Sequence, residues 1–396
     1  MVARRSDGLS SWLIGRLLII SFQSLMPHRV AVVGLGSAGY TLHLPALAGI
    51  PGGNVVAGVD PSEERRARAA AAFRVPVFAD FDEMLSSAQP DVIVIGTPPD
   101  SHLHYCLRSL DAGAHVICEK PFVSTLDEAD QVIAAARRAG RGVALNHEFR
   151  EMPIFRALRD EAALAQGERV AFAHVWQLMD MPPWGEAGWR GQMVQRTLFE
   201  AGVHLVDFLM ALFGERPVAV SATVSACGAH EGGSDAVVLA TLEFSNGRLA
   251  QIVQNRLCKG EPQYFEVRAE LPSRSLRASF GGRARISAGL HRATKPHVRF
   301  DYGVSGIAWR EVGTKRTFLA RNPREPGMVA TRVVFEQSLA AFRAGSKPPT
   351  SAEDARGVLA VIAACYHSAA VGRRVPLDDV GALGLGGMRM GATPTA

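Results

Sequence analysis

Lysine is nearly missing from this chain of 396 residues. Of its 43 basic residues only five are lysines, at positions 120, 259, 295, 315 and 347; the rest are arginines. GC-rich coding is the simplest cause. Lys120 is nevertheless the only lysine before residue 259, and a lysine kept where arginine is the rule marks a place for a compact ammonium, not a planar guanidinium fork. Cysteine is scarce too. The five cysteines, at 106, 118, 227, 258 and 365, are odd in number, widely spaced and without a C-x-x-C pair. That pattern indicates neither a disulfide framework nor a zinc site, and it fits a reducing cytoplasm. His102, His104 and the other histidines lack paired ligand spacing on one element, so no metal is expected.

The formal charge of +5 comes from scattered arginines, and no run interleaves them with aromatics. Nucleic acid is therefore not an expected partner. Near the N-terminus, Arg4 and Arg5 precede an apolar stretch from Trp12 to Phe22. Arg16 interrupts it, no small-x-small cleavage site follows, and it is too short to span a bilayer. We expect neither a signal peptide nor a membrane anchor, translation starting at Met26, and residues 1–25 as an upstream extension. Finding residues 2–25 by mass spectrometry of the native protein would overturn this. With 47% hydrophobic and 20% charged residues over this length, the chain reads as two globular domains.

What is present begins at Arg29-Val-Ala-Val-Val33, a short β-branched run leading into Gly34-Leu-Gly36-Ser37-Ala38-Gly39 and a helical pattern. This G-x-G-x-x-G follows a strand and opens a helix, as dinucleotide binding requires. Gly34 makes the tight turn, Gly36 lets backbone approach a pyrophosphate, and Gly39 allows close helix–strand packing. A second strand, Asn54 to Asp60, ends in a carboxylate 21 residues after Gly39. Asp60 is placed to bind the ribose hydroxyls; equally, it could cap a helix beginning at Pro61. An acid here disfavours a 2′-phosphate, so NAD is favoured over NADP, although Arg65 and Arg66 lie close by.

Further strands read at Asp91–Ile95, His115–Cys118 and Gly142–Leu145, alternating with helices over Leu103–Ala112 and Leu126–Ala139. Alternation of this kind predicts a parallel, doubly wound α/β sheet with its ligand at the strands' carboxyl ends. Those ends carry Thr97-Pro98, Glu119-Lys120-Pro121 and Asn146-His147. From Ser221 to Phe318, alternating runs such as Val237–Phe244 and Leu249–Val253, with Ser245-Asn-Gly247 between them, predict antiparallel strands.

Together the glycine loop, Asp60, Thr97-Pro98 with His102, Glu119-Lys120-Pro121 and a later Gly202-x-His204-x-x-Asp207 resemble the glucose-fructose oxidoreductase / inositol dehydrogenase / rhizopine catabolism (Gfo/Idh/MocA) family. The similarity runs from residue 28 to the final helix and its sequel, His367 to Leu377. It implies an NAD(P)-binding Rossmann domain over 26–147 and an α/β domain with a large, open, mostly antiparallel sheet over 148–377. Residues 378–396 are expected to be a flexible tail. The resemblance also implies hydride exchange between a sugar, sugar derivative or cyclitol carbinol and nicotinamide, in a homodimer or homotetramer. Alternatives of the same fold are NAD-assisted glycoside hydrolysis and a non-catalytic NAD or sugar sensor.

Alcohol oxidation needs a cofactor face, a base for the hydroxyl proton and a cation or donor for the oxygen. Lys120 is the expected donor, its plain alternative being a salt bridge with Glu119. His204 is the expected base, against the alternative of a buried core histidine. Glu200, four residues earlier where many relatives carry Asp, is expected to bind substrate or orient His204 on one helical face with Asp207. The expected cofactor-binding set is Gly34, Gly36, Ser37, Ala38, Gly39, Asp60, Thr97, Pro98, His102, Glu119, Lys120 and Asn146. Arg150, Trp189 and Arg190 join Lys120, Glu200 and His204 as expected substrate contacts. The stretch from Trp176 to Arg190, with Trp184 and Trp189, is suited to stacking on sugar faces or to plain core packing.

Overall fold

Val30, Ala31 and Val32 are fully buried in β1 (His28–Val33), and strands buried on both faces belong at the centre of a parallel sheet. β2 (Gly53–Val59), β3 (Val77–Phe78), β4 (Val92–Ile95), β5 (His115–Cys118) and β6 (Val143–Leu145) complete a sheet of order β3-β2-β1-β4-β5-β6. Every pairing in it is parallel. The connections carry α1 (Leu44–Ala48), α2 (Glu63–Phe73), α3 (Phe81–Ala88), α4 (His102–Asp111) and α5 (Leu126–Ala139). Because the strand order reverses between β1 and β4, a crevice opens at their carboxyl ends. This computed structural model describes residues 28–390 apart from 52, 165–166, 181–187, 192, 227–233, 260–263, 282–284, 292–293 and 302–305. Residues 1–25, the expected start at Met26, Trp184, Cys227 and the last six residues lie outside the described residues.

Local chemistry sets the helix ends. Thr125 and Glu128 form a reciprocal capping box at the start of α5, and Gly140, at φ 62°, ends it. At α2 the cap is Ser62, which accepts from the Arg65 N–H. Asp60 is therefore not the cap, and its carboxylate has another task, described below.

After α6 (Pro153–Ala163) comes the second sheet: β7 (Phe172–Leu178), then α7 (Val203–Phe213), β8 (Ala219–Ser225), β9 (Val237–Glu243), β10 (Leu249–Asn255), β11 (Tyr264–Leu271) and β12 (Arg274–Gly281). β13 (Arg285–His291) and β14 (Thr294–Asp301) pair with each other, and β15 (Ile307–Val312) and β16 (Lys315–Arg321) follow. α8 (Pro326–Arg343), α9 (Ala352–Val371) and β17 (Val375–Pro376) close the series. The large sheet has nine strands in the order β16-β15-β12-β11-β7-β10-β9-β8-β17. It is antiparallel except where β7 meets β10. Asn246 and Gly247 both take positive φ in the β9–β10 turn, as a tight hairpin demands.

Alternation decides which face is covered. In β9, Val238, Ala240 and Leu242 are buried while Leu239 is 46% exposed. Helices close the buried face, where the ring of Phe265 from β11 meets Phe155 of α6 at 5.4 Å, and Phe155 meets Phe208 of α7 at 5.2 Å. Phe149, just before α6, stacks on Phe155 at 4.5 Å and lies 5.3 Å from the His204 ring. The aromatic core thereby fixes α7 against the segment that leaves the first domain.

Two segments depart from their sequence positions. α8 follows the second sheet in the chain, yet its Val334, Phe335 and Leu339 are buried with Val30, Val32 and Leu47 of the first domain. Residues 378–390, expected to be a flexible tail, are packed. Met390 is 1% exposed and its N–H donates to Ser124 O at 2.9 Å, while Arg389 pairs with Glu128 at 3.1 Å. The glycines there make turns between apolar anchors, Leu385 and Met390, not a free chain. Among the described residues no helix is long and apolar enough to cross a membrane.

Candidate active site

A crevice of about 850 Å³ runs along the carboxyl ends of β1, β2, β4 and β5 and continues toward the second domain. The glycine loop forms one end. Gly34 has φ 89°, and a Cβ there would lie 2.8 Å from the backbone of Gly96. At Gly36 a Cβ would meet only the tip of Arg65, at 3.7 Å, so this residue faces open space. Asp60, 2% exposed, accepts from the Leu35 N–H at 2.9 Å and from the Ser62 N–H at 2.9 Å, and Arg65 approaches it at 3.5 Å. Its carboxylate thus pins the glycine loop to the end of β2 while lining the crevice with Ser37, Ala38, Thr97 and Pro98.

Farther along stands Glu119. It accepts from Asn146 Nδ2 at 2.6 Å and from the Lys120 N–H at 3.1 Å, and His43 Nε2 lies 2.8 Å away. Burial alone would raise its pKa; the hydrogen bond and charge of His43, with Lys120 and Asn146, hold it down at about 2. Glu119 is therefore a fixed anion behind Lys120. The Lys120–Pro121 peptide is cis. The Lys120 ammonium reaches across to the second domain and donates to Glu200 O at 3.2 Å.

Glu200 and His204 take different partners. Thr197–Gly202 is π-helical and α7 begins at Val203, so the two residues fall in different helical segments. The Glu200 carboxylate turns to Arg190 at 2.5 Å, Arg196 at 2.9 Å and Arg256 at 3.6 Å. Against the rise that burial would cause, Lys120 and these arginines lower its pKa to about 2. Asp207 is likewise not the partner of His204, because Arg150 takes it at 3.3 Å. The carboxyl that does face His204 is Glu148, with Oε1 3.9 Å from Nε2. Burial, then the charge of Lys120 and the neighbouring His147, push the His204 pKa well below its ordinary value. The imidazole is neutral.

The expected site residues thus divide. Gly34, Gly36, Ser37, Ala38, Asp60, Thr97, Pro98, Glu119, Lys120, Trp189, Arg190 and Glu200 line one crevice. Gly39 lies behind the loop, where a Cβ would overlap Gly34 O. Asn146 stands behind Glu119. His102, 0% exposed, is a structural tie: its ring nitrogens bond the carbonyls of Thr97, Pro121 and Phe122. Arg150 is committed to Asp207 and to the Pro349 carbonyl. Trp176, 40% exposed, sits beside His174 on the sheet, and Arg190 covers one face of Trp189 at 4.2 Å.

Family models match both domains: the oxidoreductase family with an NAD-binding Rossmann fold over residues 28–147, and the GFO/IDH/MocA C-terminal domain over residues 160–271. The chain belongs to the Gfo/Idh/MocA oxidoreductase family. It is 29% identical over 350 residues to D-apiose dehydrogenase of Paraburkholderia graminis, covering 85% of this chain and 87% of that protein. With 1,5-anhydro-D-fructose reductase of Ensifer adhaerens it shares 29% identity over 54% of this chain and 66% of that protein. An Agrobacterium radiobacter oxidoreductase, solved with NAD+, L-tartaric acid and magnesium, has the same fold. The TM-score is 0.75 at 15% identity, over 90% of this chain and 100% of that one.

For a Gfo/Idh/MocA protein the residues present fit a nicotinamide dinucleotide. The glycine at 36 leaves the open approach that a pyrophosphate needs, and Asp60 stands at the β2 end where a ribose would lie. Sequence reasoning missed two residues, His43 and Glu148. His43 is a histidine four positions after the last loop glycine, and only the fold brings it to Glu119. Glu148 stood in view between Asn146 and Arg150, but nothing in the sequence connects it to His204.

Proposed function

We propose that this protein is an NAD-dependent oxidoreductase exchanging hydride between a carbinol of a sugar, sugar derivative or cyclitol and nicotinamide. The observation that carries this reading is Lys120, whose ammonium bridges to Glu200 O in the dinucleotide crevice that Glu148 also lines, with His204 Nε2 3.9 Å from Glu148. Gly34, Gly36, Ser37 and Ala38 hold the pyrophosphate and Asp60 the ribose; Asp60 favours NAD over NADP. The bound dinucleotide supplies the hydride acceptor or donor. Lys120 donates to the substrate oxygen and steadies its negative charge as the carbonyl forms or is consumed. His204, kept neutral, accepts the hydroxyl proton at Nε2, a role a permanently charged imidazolium could not take.

Two of the similar proteins are, by name, D-apiose dehydrogenase and 1,5-anhydro-D-fructose reductase, which supports a carbohydrate-like substrate. Copies of the chain associate through the open face of the nine-stranded sheet, where Trp176, Leu239 and Leu249 are exposed. The described cysteines are all free, in keeping with a cytoplasmic setting. The test is incubation with NAD or NADP and a panel of sugars, cyclitols and their keto forms, following the absorbance of the reduced cofactor. Absence of nicotinamide-linked turnover throughout would overturn the reading. Light scattering of the purified protein reports the assembly.

A further inference from the structure

One carboxyl in the crevice has no part in the scheme above. Glu148 opens the short turn Glu148–Glu151 and lines the same space as Lys120. Its Oε1 is 3.9 Å from His204 Nε2, and its Oε2 is buried without a hydrogen-bond partner. Among the described residues no lysine or arginine pairs with it.

The surroundings explain its state. From the end of β5 it meets Glu119, an anion, and Lys120, a cation; from α7 it meets His204 and Asp207. On its own segment, His147 is buried with both ring nitrogens unpartnered, Arg150 is held by Asp207, and Glu151 by Arg159 at 2.7 Å. Arg332 of α8 leans over Gly49 instead. Burial first, then the Glu119 charge, carries the Glu148 carboxyl up to about 8 against the pull of Lys120. His204 moves the opposite way. Of the two groups, the carboxyl therefore holds a proton more tightly than the imidazole.

We propose that Glu148 is the residue that finally holds the proton in this site, exchanging it with the substrate oxygen through His204. The proposal rests on the function proposed above. In oxidation the carbinol C–H bond breaks and its electron pair leaves as hydride to the nicotinamide dinucleotide. The O–H bond breaks, its proton passes to His204 Nε2, and from there to the ionised Glu148 carboxylate. Carbinol, oxidised dinucleotide and carboxylate become carbonyl, reduced dinucleotide and carboxylic acid; reduction is the reverse. Since the carboxyl is protonated at neutral pH, the resting site is loaded for carbonyl reduction.

Infrared difference spectra of the purified protein, taken as pH is raised from neutral to alkaline, test the proton's place without turnover. The expected result is loss of one protonated-carboxyl band with a midpoint at about 8, and no such band in Glu148→Gln. A band absent from the wild type, or unchanged in Glu148→Gln, overturns the proposal. In kinetics, wild-type carbinol oxidation should rise with pH through the same midpoint while carbonyl reduction falls. Glu148→Gln should flatten both limbs, with dinucleotide KM kept, and Glu148→Asp should keep them at a shifted midpoint. Limbs that survive in Glu148→Gln would sink the relay. If no carbohydrate turns over at all, the functional reading fails, whereas the infrared result still decides where the proton rests.

Discussion

Glu119 Oε1 lies 2.8 Å from His43 Nε2, a residue 76 positions earlier, and 2.6 Å from Asn146 Nδ2, 27 positions later. One buried carboxylate thereby ties the helix after the glycine loop to the ends of β5 and β6. Removing either partner leaves an acceptor short of a donor, which costs about 1–3 kcal/mol. Asn146→Ala and His43→Ala should each lower the urea midpoint accordingly.

The same carboxylate sets an acid limb. Its folded pKa, about 2, lies below the ordinary 4.5, so its contribution to stability is fully present above about 4.5 and is lost as pH falls from there through about 2. Glu119→Gln should remove that part of the acid dependence while leaving the fold intact at neutral pH. Matching acid-unfolding curves for the two proteins would contradict the assignment.

Lys120 is expected to serve chemistry more than folding. Lys120→Ala should reduce kcat by roughly 10²- to 10⁴-fold, the range for losing a positioned donor, with NAD affinity by fluorescence titration little changed. Lys120→Arg should not restore the rate, since a planar fork cannot stand in the place of a point-like ammonium between Glu200 O and a substrate oxygen. Full activity in either variant would show that the lysine's persistence in an arginine-rich chain has no catalytic cause.

Glu200 is the counter-ion of Arg190, Arg196 and Arg256. Breaking a buried ion pair by deleting one partner costs about 3–5 kcal/mol, and the partial exposure of Arg190 sets the low end. Glu200→Gln should therefore lower the melting temperature clearly. Glu200→Asp keeps the charge but reaches one methylene less, and should fall between. Thermal unfolding of the three proteins gives the order, which would be wrong if Glu200→Gln melted with the wild type.

Much of the first domain was legible because its signals are local. Gly34, Gly36 and Gly39 mark one tight turn, and short β-branched runs mark buried parallel strands. Lys120 stood out by composition alone. What could not be read depends on chain segments meeting from afar. Glu148 faces His204 across 56 residues of sequence, α8 returns to the first domain, and Arg256 reaches Glu200 from beyond β10. Spacing brought Glu200, His204 and Asp207 together but could not say which partner each takes: Glu200 turns to arginines and Asp207 to Arg150. A π-helical turn also replaces the 3.6-residue repeat at Glu200, just before α7 begins. The tail misled through its glycines, which signal turns as readily as free chain.

Gly34 and Gly36 should separate folding from binding. At Gly34 a side chain would need a left-handed backbone and would press on Gly96 at 2.8 Å, a combination worth about 1–3 kcal/mol of strain. Gly34→Ala should lose that stability and distort the loop, weakening NAD binding with it. At Gly36 nothing but an Arg65 tip lies within 4 Å, so the apoprotein has no reason to object to a methyl group. Gly36→Ala should melt within about 0.5 kcal/mol of wild type yet bind NAD more weakly, because the methyl occupies the approach left for the pyrophosphate. Calorimetric unfolding and binding on the same two proteins make the comparison. Equal NAD affinity in Gly36→Ala and wild type would remove the glycine loop from the cofactor site.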